Sequence, residues 1–284
     1  MGVDVRIVVY SESKTKAERA CSAAFERFAQ LDTIMSDYRA DSELMQLCAK
    51  SGGHPVSISK DLFKVLQRSQ ELARESAGAF DVTCSPLIRL WRSARKSKTL
   101  PDTQAVETAR KLVGWRYLKL NPAHHTAQLL IKCMLLDLGG IGKGYADDCA
   151  QEMLKRNGVS IALVQAGGDI VLSNPPPGKR GWNIEMPNSK VGDELPLLPF
   201  VNCAISTSGD TEQFVEIGGK HYSHIIDPRT GQALQSRFQV TIVAKDGLTS
   251  DGLSTAVSVL GETVGRMLVR AHIGCSVRMR TCNH

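Results

Sequence analysis

The sequence predicts a single α+β domain over residues 1–284, built from mixed or antiparallel sheets flanked by helices. Helical and strand patterns mix without a strict repeat, the predicted strands cluster late in the chain, and no low-complexity linker separates two halves. The composition, with 42% hydrophobic and 23% charged residues, is that of an ordinary globular protein with ample length for a core.

The first third of the chain is predicted to form a strand and three helices. Residues 2–10 alternate between apolar and polar side chains, which indicates a half-buried strand. A capping box at residues 15–18 opens an amphipathic helix that ends before the loop around Tyr38. A short helix follows, and then a longer one that begins at its cap Ser59 and ends at Gly78, because glycine commonly terminates a helix.

A basic stretch, a helix and a hairpin come next. The five cations from Arg89 to Lys98 surround Trp91 and indicate a solvated face, with a binding patch as the alternative. A helix is predicted over residues 102–114 and a hairpin over residues 115–131.

Residues 137–148 form a glycine-rich stretch between a predicted strand, Leu135–Leu138, and a helix predicted over Tyr145–Arg156. Such a stretch can bind a phosphate, with Lys143 adding a full charge, and a tight turn that serves packing is the alternative. It matches neither a P-loop nor a dinucleotide fingerprint, because glycine rather than Ser or Thr follows the lysine and tyrosine replaces the third glycine.

The second half predicts several strands followed by helices. Strands are expected at Ile161–Gln165, Trp182–Met186, Cys203–Ser206, Gln213–Ile217, Tyr222–Ile226 and Gln239–Ala244. A glycine pair at residues 218–219 is predicted to turn a hairpin. Two helical pieces, Gly252–Leu260 and Glu262–Ala271, and a strand over Ser276–Met279 complete the chain.

Charge and cysteine content limit the function classes. A net charge of +6 suits an anionic small molecule, whereas 5% aromatic residues and no recognisable nucleic-acid motif argue against nucleic acid. No run of about 18 apolar residues occurs, so no membrane span is expected. The eight scattered cysteines lack metal-ligand spacing and indicate buried thiols in a reducing compartment. The chain as it stands is therefore expected to be cytoplasmic.

Seven short motifs occur in order along the chain. They are Met1-Gly2, Ser36-x-Tyr38, Phe80-Asp81-x-Thr83, the stretch from Asp137 to Tyr145, Ser206-Thr207-Ser208-Gly209-Asp210, His224-Ile225-Ile226-Asp227-Pro228 and Asp251-Gly252-Leu253-Ser254-Thr255-Ala256. Each motif is modest alone, but the ordered series resembles the FAD:protein FMN transferases of the ApbE family. This resemblance implies an ApbE-like, T-fold-like version of the predicted α+β fold.

The resemblance implies a Mg²⁺-dependent enzyme with FAD as its substrate. Such an enzyme splits FAD at its diphosphate, transfers the FMN moiety to a threonine hydroxyl of an acceptor flavoprotein, and releases AMP. Two alternatives stay open: an FAD pyrophosphatase, in which water replaces the threonine, and a non-catalytic module that binds FAD. Many bacterial members are exported lipoproteins, so removal of a leader would instead imply a periplasmic or membrane-anchored protein.

The resemblance also implies which residues form the site. The FAD contacts carry over to Met1, Tyr38, Ala79, Phe80, Asp81 and Asp137. Lys143, Gly168 and Ile225 complete the expected cofactor contacts. The metal ligands map to the Gly140 carbonyl, Asp251 and Thr255, and Mg²⁺ does prefer hard oxygen ligands. His224 is the candidate for the group that orients or deprotonates the attacking hydroxyl, and Asp251 is counted with it as catalytic.

Structural roles are the alternatives for several of these residues. Asp251 can cap a helix, with Thr255 facing solvent, and His224 can be a strand histidine satisfied by the backbone. Lys143 can cap a neighbouring carboxylate instead of binding phosphate. The glycine pair that includes Gly168 can merely turn the chain, and the two aromatic candidates can be core residues.

Overall fold

A six-stranded antiparallel sheet forms the centre of the protein in the computed structural model, which describes residues 2–186, 197–209, 214–235 and 238–281. These residues form seven α-helices and fifteen strands. The helices are α1 (Lys14–Met35), α2 (Glu43–Ala49), α3 (Lys60–Glu75), α4 (Ser85–Ser97), α5 (Thr103–Arg110), α6 (Gly142–Arg156) and α7 (Gly247–Arg270). The strands are β1 (Val5–Tyr10), β2 (Val56–Ser57), β3 (Leu118–Asn121), β4 (Thr126–Leu129), β5 (Ile161–Ala166), β6 (Asp169–Leu172), β7 (Trp182–Glu185), β8 (Leu197–Phe200), β9 (Cys203–Ser208), β10 (Phe214–Ile217), β11 (Lys220–Ser223), β12 (Ile226–Asp227), β13 (Gln232–Ala233), β14 (Phe238–Ala244) and β15 (Ser276–Thr281).

The central sheet has the strand order β1-β5-β6-β9-β14-β15, and every neighbouring pair is antiparallel. The register places Asp169 of β6 opposite Ser206 of β9, and Ser208 of β9 opposite Val240 of β14. An antiparallel sheet with flanking helices confirms the predicted α+β class. Strands from both ends of the chain lie at the two edges of this one sheet, which supports a single domain.

The two faces of the central sheet are covered by different elements. Val164 and Ile242 belong to the main core, which also contains the buried sides of α1, α6 and α7. On the opposite face, Leu163 and Ile205 pack with Trp182 of the β7–β8 hairpin. Successive side chains of a strand point to opposite faces, so the alternating sequence pattern supplies both layers.

A smaller apolar cluster packs α4 and α5 against the β10–β11 hairpin. Leu87 and Trp91 of α4 are buried in it. The Trp91 ring stacks on Tyr222 at a centroid distance of 5.3 Å, and its Nε1 donates to the Gly231 carbonyl at 2.9 Å. Three of the five cations around Trp91 (Arg89, Lys96 and Lys98) are exposed, as predicted for a solvated face, whereas Arg92 and Arg95 are half-buried and Trp91 is buried.

The structure corrects several predicted strands. Residues 135–138 form no strand in the described chain, and the Asp137 N–H donates to the Val82 carbonyl at 2.8 Å. The strand predicted at residues 222–226 is divided between β11 and β12. Strands β2, β6, β8 and β13 were not predicted, and two of them, β2 and β13, are only two residues long. Gln213, the predicted start of β10, lies outside the described residues.

The helix boundaries also differ from the predictions. Ser13 rather than Thr15 caps α1, because the Ser13 side chain accepts a hydrogen bond from the Lys16 N–H. The two pieces predicted after residue 251 form one long helix, α7, with a kink at Gly261, where φ is +74°. None of the helices in the described ranges combines the length and the apolar character needed to cross a membrane.

Candidate active site

The first turns of α6 and α7 cross so closely that glycine is required on both helices. A Cβ atom on Gly144 would overlap the Gly247 carbonyl oxygen and would lie 2.8 Å from the Asp251 Cβ. A Cβ atom on Gly247 would in turn overlap the carbonyl of Gly144. Any larger residue would push the two helices apart. At Gly144 the glycine-rich stretch therefore serves packing, which was the alternative to phosphate binding.

Each helix also supplies a carboxylate to the N-terminus of the other. Asp148 of α6 accepts hydrogen bonds from the N–H groups of Gly247 and Leu248 at 2.7 and 2.9 Å. Asp251 of α7 accepts one from the Gly144 N–H at 3.0 Å. These bonds satisfy donors that a helix start leaves unpaired, and they place negative charge at the positive end of the helix dipole. Asp251 thus caps α6 rather than its own helix.

Lys143 reaches from the start of α6 to two buried carboxylates. Its Nζ donates to the Gly139 carbonyl at 2.8 Å. The same atom lies 3.1 Å from Asp169 Oδ2 and 3.3 Å from Asp251 Oδ1. Burial alone would lower the pKa of the ammonium, but the charges of Asp169 and Asp251 outweigh burial and raise the pKa above its usual value. Lys143 therefore pairs with carboxylates, as the capping alternative proposed.

A third carboxylate, Asp147, lies beside this group. It is fully buried, and neither of its oxygens has a hydrogen-bond partner among the described residues. Burial, and then the charge of Asp169, raise the pKa of Asp147 well above its usual value. The same two causes raise the pKa of Asp251 to about 7, although Lys143 and the Gly144 N–H act against them. Three carboxylates around one ammonium favour an additional cation or proton.

Two of the expected metal ligands, Asp251 and Thr255, lie on neighbouring turns of α7, and the third, the Gly140 carbonyl, lies just before α6. Thr255 Oγ1 is 3.4 Å from the Gly140 carbonyl oxygen and 3.5 Å from Ser208 Oγ. A Cβ atom on Gly140 would lie 2.8 Å from Thr255 Oγ1, so glycine permits this approach. Asp251 and Thr255 are separated by one helical turn of α7 and share a face. The structure therefore places a carbonyl, a hydroxyl and a carboxylate close together.

This donor set fits Mg²⁺ by its chemistry. All three donors are hard oxygens, and so few protein ligands leave positions for phosphate oxygens and water, which Mg²⁺ usually retains. The described residues contain no group of three or more His, Cys, Asp or Glu side chains that could hold a metal ion. A site with one carboxylate, one hydroxyl and one backbone carbonyl belongs to a different type from such a side-chain cluster.

Both oxygens of the Asp81 carboxylate accept hydrogen bonds from other groups of the protein. Oδ1 accepts from the Thr83 N–H and hydroxyl at 2.8 and 2.7 Å, and Oδ2 accepts from the Trp115 N–H at 2.8 Å. Burial raises the pKa of Asp81, although these bonds oppose the shift. Phe80 is 4% exposed and packs in the main core. Both side chains therefore hold the loop in place, and a contact with FAD stays a prediction for them.

A small apolar cluster joins the Ala79 loop to the His224 loop and to α7. Ala79, Ile225 and Val259 are buried together. Val259 lies one turn beyond Thr255, so the cluster fixes both loops near the expected metal ligands. His224 is half-buried and lies between β11 and β12. Segments far apart in the sequence thus converge on one helix, as the motif series implied.

The remaining expected contacts lie at the rim of this region or outside the described residues. Gly168 is exposed in the turn between β5 and β6, directly before Asp169, and its carbonyl accepts from the Thr207 N–H at 3.1 Å. A Cβ atom on Gly168 would lie 3.0 Å from the Thr207 carbonyl oxygen, so the turn itself uses the glycine. Met1 lies outside the described residues.

Arg92 connects two of the expected FAD contacts and was missed by the sequence analysis. Its Nη1 donates to Asp37 Oδ2 at 2.6 Å, and its Nη2 donates to Asp137 Oδ2 at 2.8 Å. The guanidinium carbon lies 4.9 Å from the centroid of the Tyr38 ring. In the sequence, Arg92 is one of five cations around Trp91, and no local pattern separates the one that pairs with two distant carboxylates.

Comparison with known proteins gives a consistent result along the chain. The model of the ApbE family matches residues 1–279. An FAD:protein FMN transferase of Klebsiella pneumoniae (strain 342) is 28% identical in an alignment of length 277, which covers 95% of this chain and 79% of that relative. An FAD:protein FMN transferase of Treponema pallidum (strain Nichols) is 31% identical in an alignment of length 291, gaps included, which covers 96% of this chain and 80% of the relative.

Solved structures show the same similarity in three dimensions. The flavin transferase ApbE from Vibrio cholerae superposes with a TM-score of 0.86 at 27% identity, covering 98% of this chain and 90% of the other. The apbe protein from Thermotoga maritima gives a TM-score of 0.86 at 28% identity, with 97% and 90% of the two chains covered.

Proposed function

The chain belongs to the ApbE family, and from this we propose that it is an FAD:protein FMN transferase. In this reaction a threonine oxygen of an acceptor flavoprotein attacks the phosphorus of the FMN half of FAD. The diphosphate P–O bond breaks, AMP leaves, and the threonine proton passes to a base. The observation that carries the proposal is the approach of the Gly140 carbonyl to the Thr255 hydroxyl, on the α7 face that also bears Asp251.

The residues that would hold Mg²⁺ are Gly140 through its carbonyl, Asp251 through its carboxylate and Thr255 through its hydroxyl. When bound, Mg²⁺ neutralises charge on the diphosphate and on the leaving phosphate. Lys143 acts on this site through its ion pairs with Asp251 and Asp169, which hold the Asp251 carboxylate at the N-terminus of α6. In this proposal Lys143 is a positioning residue.

FAD would lie between α7 and the loops that pack against it. Tyr38 and Asp137 would contact it from one side, the Ala79–Asp81 loop and Ile225 from another, and Gly168 from the β5–β6 turn. Met1 keeps the role that the family motif gives it. Support for this placement comes from the convergence of the Ala79 and Ile225 segments on α7 and from the family match over residues 1–279.

His224 is the candidate general base for the threonine hydroxyl. A histidine suits this role because its usual pKa lies near neutrality, which allows it to accept a proton at physiological pH. Its half-buried position beside Ile225, whose side chain packs on Val259 of α7, supports the assignment. Phosphoryl transfer otherwise depends mainly on positioning and on electrostatic stabilisation.

A transferase differs from an FAD pyrophosphatase because it releases AMP only when an acceptor protein is present. The test measures AMP released from FAD and Mg²⁺ with and without a threonine-bearing flavoprotein domain, and with Asp251→Asn as the inactive control. A transferase predicts AMP release that depends on the acceptor and equals the amount of labelled protein. Equal AMP release without acceptor would establish hydrolysis instead, and tight FAD binding without any AMP would establish a non-catalytic module.

A further inference from the structure

Arg92 holds together three segments that lie far apart in the sequence. It projects from α4, pairs with Asp37 in the loop after α1, and pairs with Asp137 at the start of the glycine-rich stretch. The side chains of Asp37 and Asp137 are 11% and 6% exposed, and that of Arg92 is 27% exposed. Charge-assisted bonds to two buried carboxylates restrict the guanidinium far more than a surface ion pair would.

The fork of the guanidinium is what permits this arrangement. One terminal nitrogen serves Asp37 and the other serves Asp137, while Asp137 Oδ1 accepts from the Gly139 N–H at 2.8 Å. A lysine ammonium is a single point charge on a flexible stem, so it lacks a rigid planar fork that can serve both carboxylates. The geometry therefore uses a property of arginine rather than positive charge alone.

Tyr38 is the exposed part of this arrangement. Tyr38 is 73% exposed, although large aromatic residues normally bury much of their surface. The Arg92 guanidinium lies 4.9 Å from the ring centroid, within the range of a cation–π contact. Arg92 also fixes Asp37, the residue directly before Tyr38, so both the ring and its backbone are held from one side.

We propose that Arg92 is a positioning residue for FAD binding, which holds Tyr38 as a stacking surface for a planar ring of FAD and aligns it with Asp137. This inference rests on the proposed function, because it takes FAD as the ligand. Arg92 touches Tyr38 and Asp137 rather than the reacting phosphorus. Its loss therefore weakens FAD binding and leaves the rate of the bound complex nearly unchanged.

The test compares Arg92→Gln, Arg92→Lys and a matched control, Lys96→Gln, which removes a charge from an exposed position of the same helix. Isothermal titration with FAD in the presence of EDTA measures binding without turnover. We expect the Kd for FAD to rise about tenfold in Arg92→Gln, with a similar rise in Arg92→Lys and no change in Lys96→Gln. In steady-state assays KM should rise with the Kd while kcat stays within about twofold of the wild type.

A double-mutant cycle with Tyr38→Leu shows whether Arg92 acts through the tyrosine. Because Tyr38 is exposed, its replacement should leave the fold intact even if Arg92→Gln lowers the melting temperature. If Arg92 acts through Tyr38, Arg92→Gln causes little further loss of FAD affinity once Tyr38 has been replaced by leucine. Any further loss is the part of the effect that acts through the Arg92–Asp137 ion pair. Separate titrations with FMN and AMP identify which ring stacks, since only the ligand that carries it should lose affinity.

Three results would overturn the inference. Unchanged FAD binding in Arg92→Gln, full recovery in Arg92→Lys, or strictly additive losses in the cycle would each show that Arg92 does not position Tyr38. Failure of the proposed function is distinguishable from all three, because it shows in the acceptor assay, as AMP release without acceptor or as FAD binding without AMP release, and not in these titrations. A wild-type protein that binds no FAD would contradict both the proposed function and the inference.

Discussion

At the residue scale, the candidate site depends on the contacts of Lys143, in the first turn of α6, and of Asp251 and Thr255, one turn apart on α7. Thr255 brings a hydroxyl to the Gly140 carbonyl, and Lys143 pairs with Asp251 and Asp169. The family motif predicted Thr255 and Asp251, but the ion pairs of Lys143 required the structure. Lys143 and Asp169 are separated by a helix and a strand, and no local pattern reports which carboxylate will meet a given lysine.

Replacing Thr255 tests the hydroxyl as a metal ligand. Thr255→Val keeps the shape but removes the oxygen, whereas Thr255→Ser keeps the oxygen and removes a methyl group. We expect the Mg²⁺ concentration for half-maximal AMP release to rise at least about tenfold in Thr255→Val, because even the loss of a group that only orients a metal ligand costs about 10–100-fold in metal affinity, and to change little in Thr255→Ser. The same Mg²⁺ dependence in all three proteins would contradict the assignment.

His224→Ala tests the proposed general base. We expect transfer to slow by about 10²–10⁴-fold, the usual contribution of general acid–base catalysis, while the Kd for FAD stays near the wild-type value. Single-turnover kinetics and FAD titration separate the two effects. A variant that transfers normally, or one that fails to bind FAD, would remove His224 from the role of base.

Asp147→Asn tests the buried carboxyl that lacks a partner. Its pKa in the folded protein lies well above its ordinary value, so the folded state keeps the proton to higher pH than the unfolded state does. The contribution of Asp147 to the free energy of unfolding is therefore fully present below about pH 4 and is lost as pH rises through the pKa that Asp147 has in the folded protein.

Asparagine does not ionise, so Asp147→Asn should gain stability relative to the wild type as pH rises. Denaturant unfolding at about pH 5 and about pH 8 measures this gain. Between the two pH values, the free energy of unfolding of Asp147→Asn should rise relative to the wild type by about 1.4 kcal/mol for each pH unit by which the folded-state pKa lies above the lower pH. The exposed Glu152→Gln on the same helix is the matched control and should follow the wild-type pH dependence. Parallel behaviour of Asp147→Asn and the wild type would show that Asp147 ionises normally in the folded protein.

At the level of secondary-structure elements, the crossing of α6 and α7 is the feature that builds the site. Sequence periodicity predicted both helices, but it placed the starts of both too late, at Tyr145 and Gly252. Glycines weaken a helix pattern, and here they stand in the first turns because two backbones approach closely. Residues 135–138 were predicted as a strand because three of the four are leucine, but in the described chain they pair with no strand.

Gly144→Ala tests this crossing. A Cβ at Gly144 would overlap the Gly247 carbonyl, so we expect a loss of roughly 2 kcal/mol or more in the free energy of unfolding, as for other overpacked positions. Gly142→Ala is the matched control, because its Cβ would lie 3.6 Å from Leu138 Cβ, an ordinary contact. That control should be neutral or more stable by up to about 1 kcal/mol through better helix propensity. Equal stability of the two variants would contradict the packing role of Gly144.

At the scale of the whole molecule, one antiparallel sheet with helices on one face and the β7–β8 hairpin on the other holds the site elements together. The α+β class was predictable because alternating strands and amphipathic helices are strong local signals. The strand order was not, since it joins β1 to β5 and β9 to β14 across long separations. The ordered motifs identified the family because they contain residues from segments that are distant in the sequence and close together in the folded protein.

We propose that this chain transfers FMN to a threonine with the help of Mg²⁺. Mass spectrometry of a threonine-bearing flavoprotein domain, incubated with the protein, FAD and Mg²⁺, tests it most directly. We expect an FMN moiety attached to the acceptor threonine, matched by an equal amount of AMP, and neither product in EDTA. An unmodified acceptor alongside free FMN and AMP would show that the protein hydrolyses FAD and does not transfer FMN.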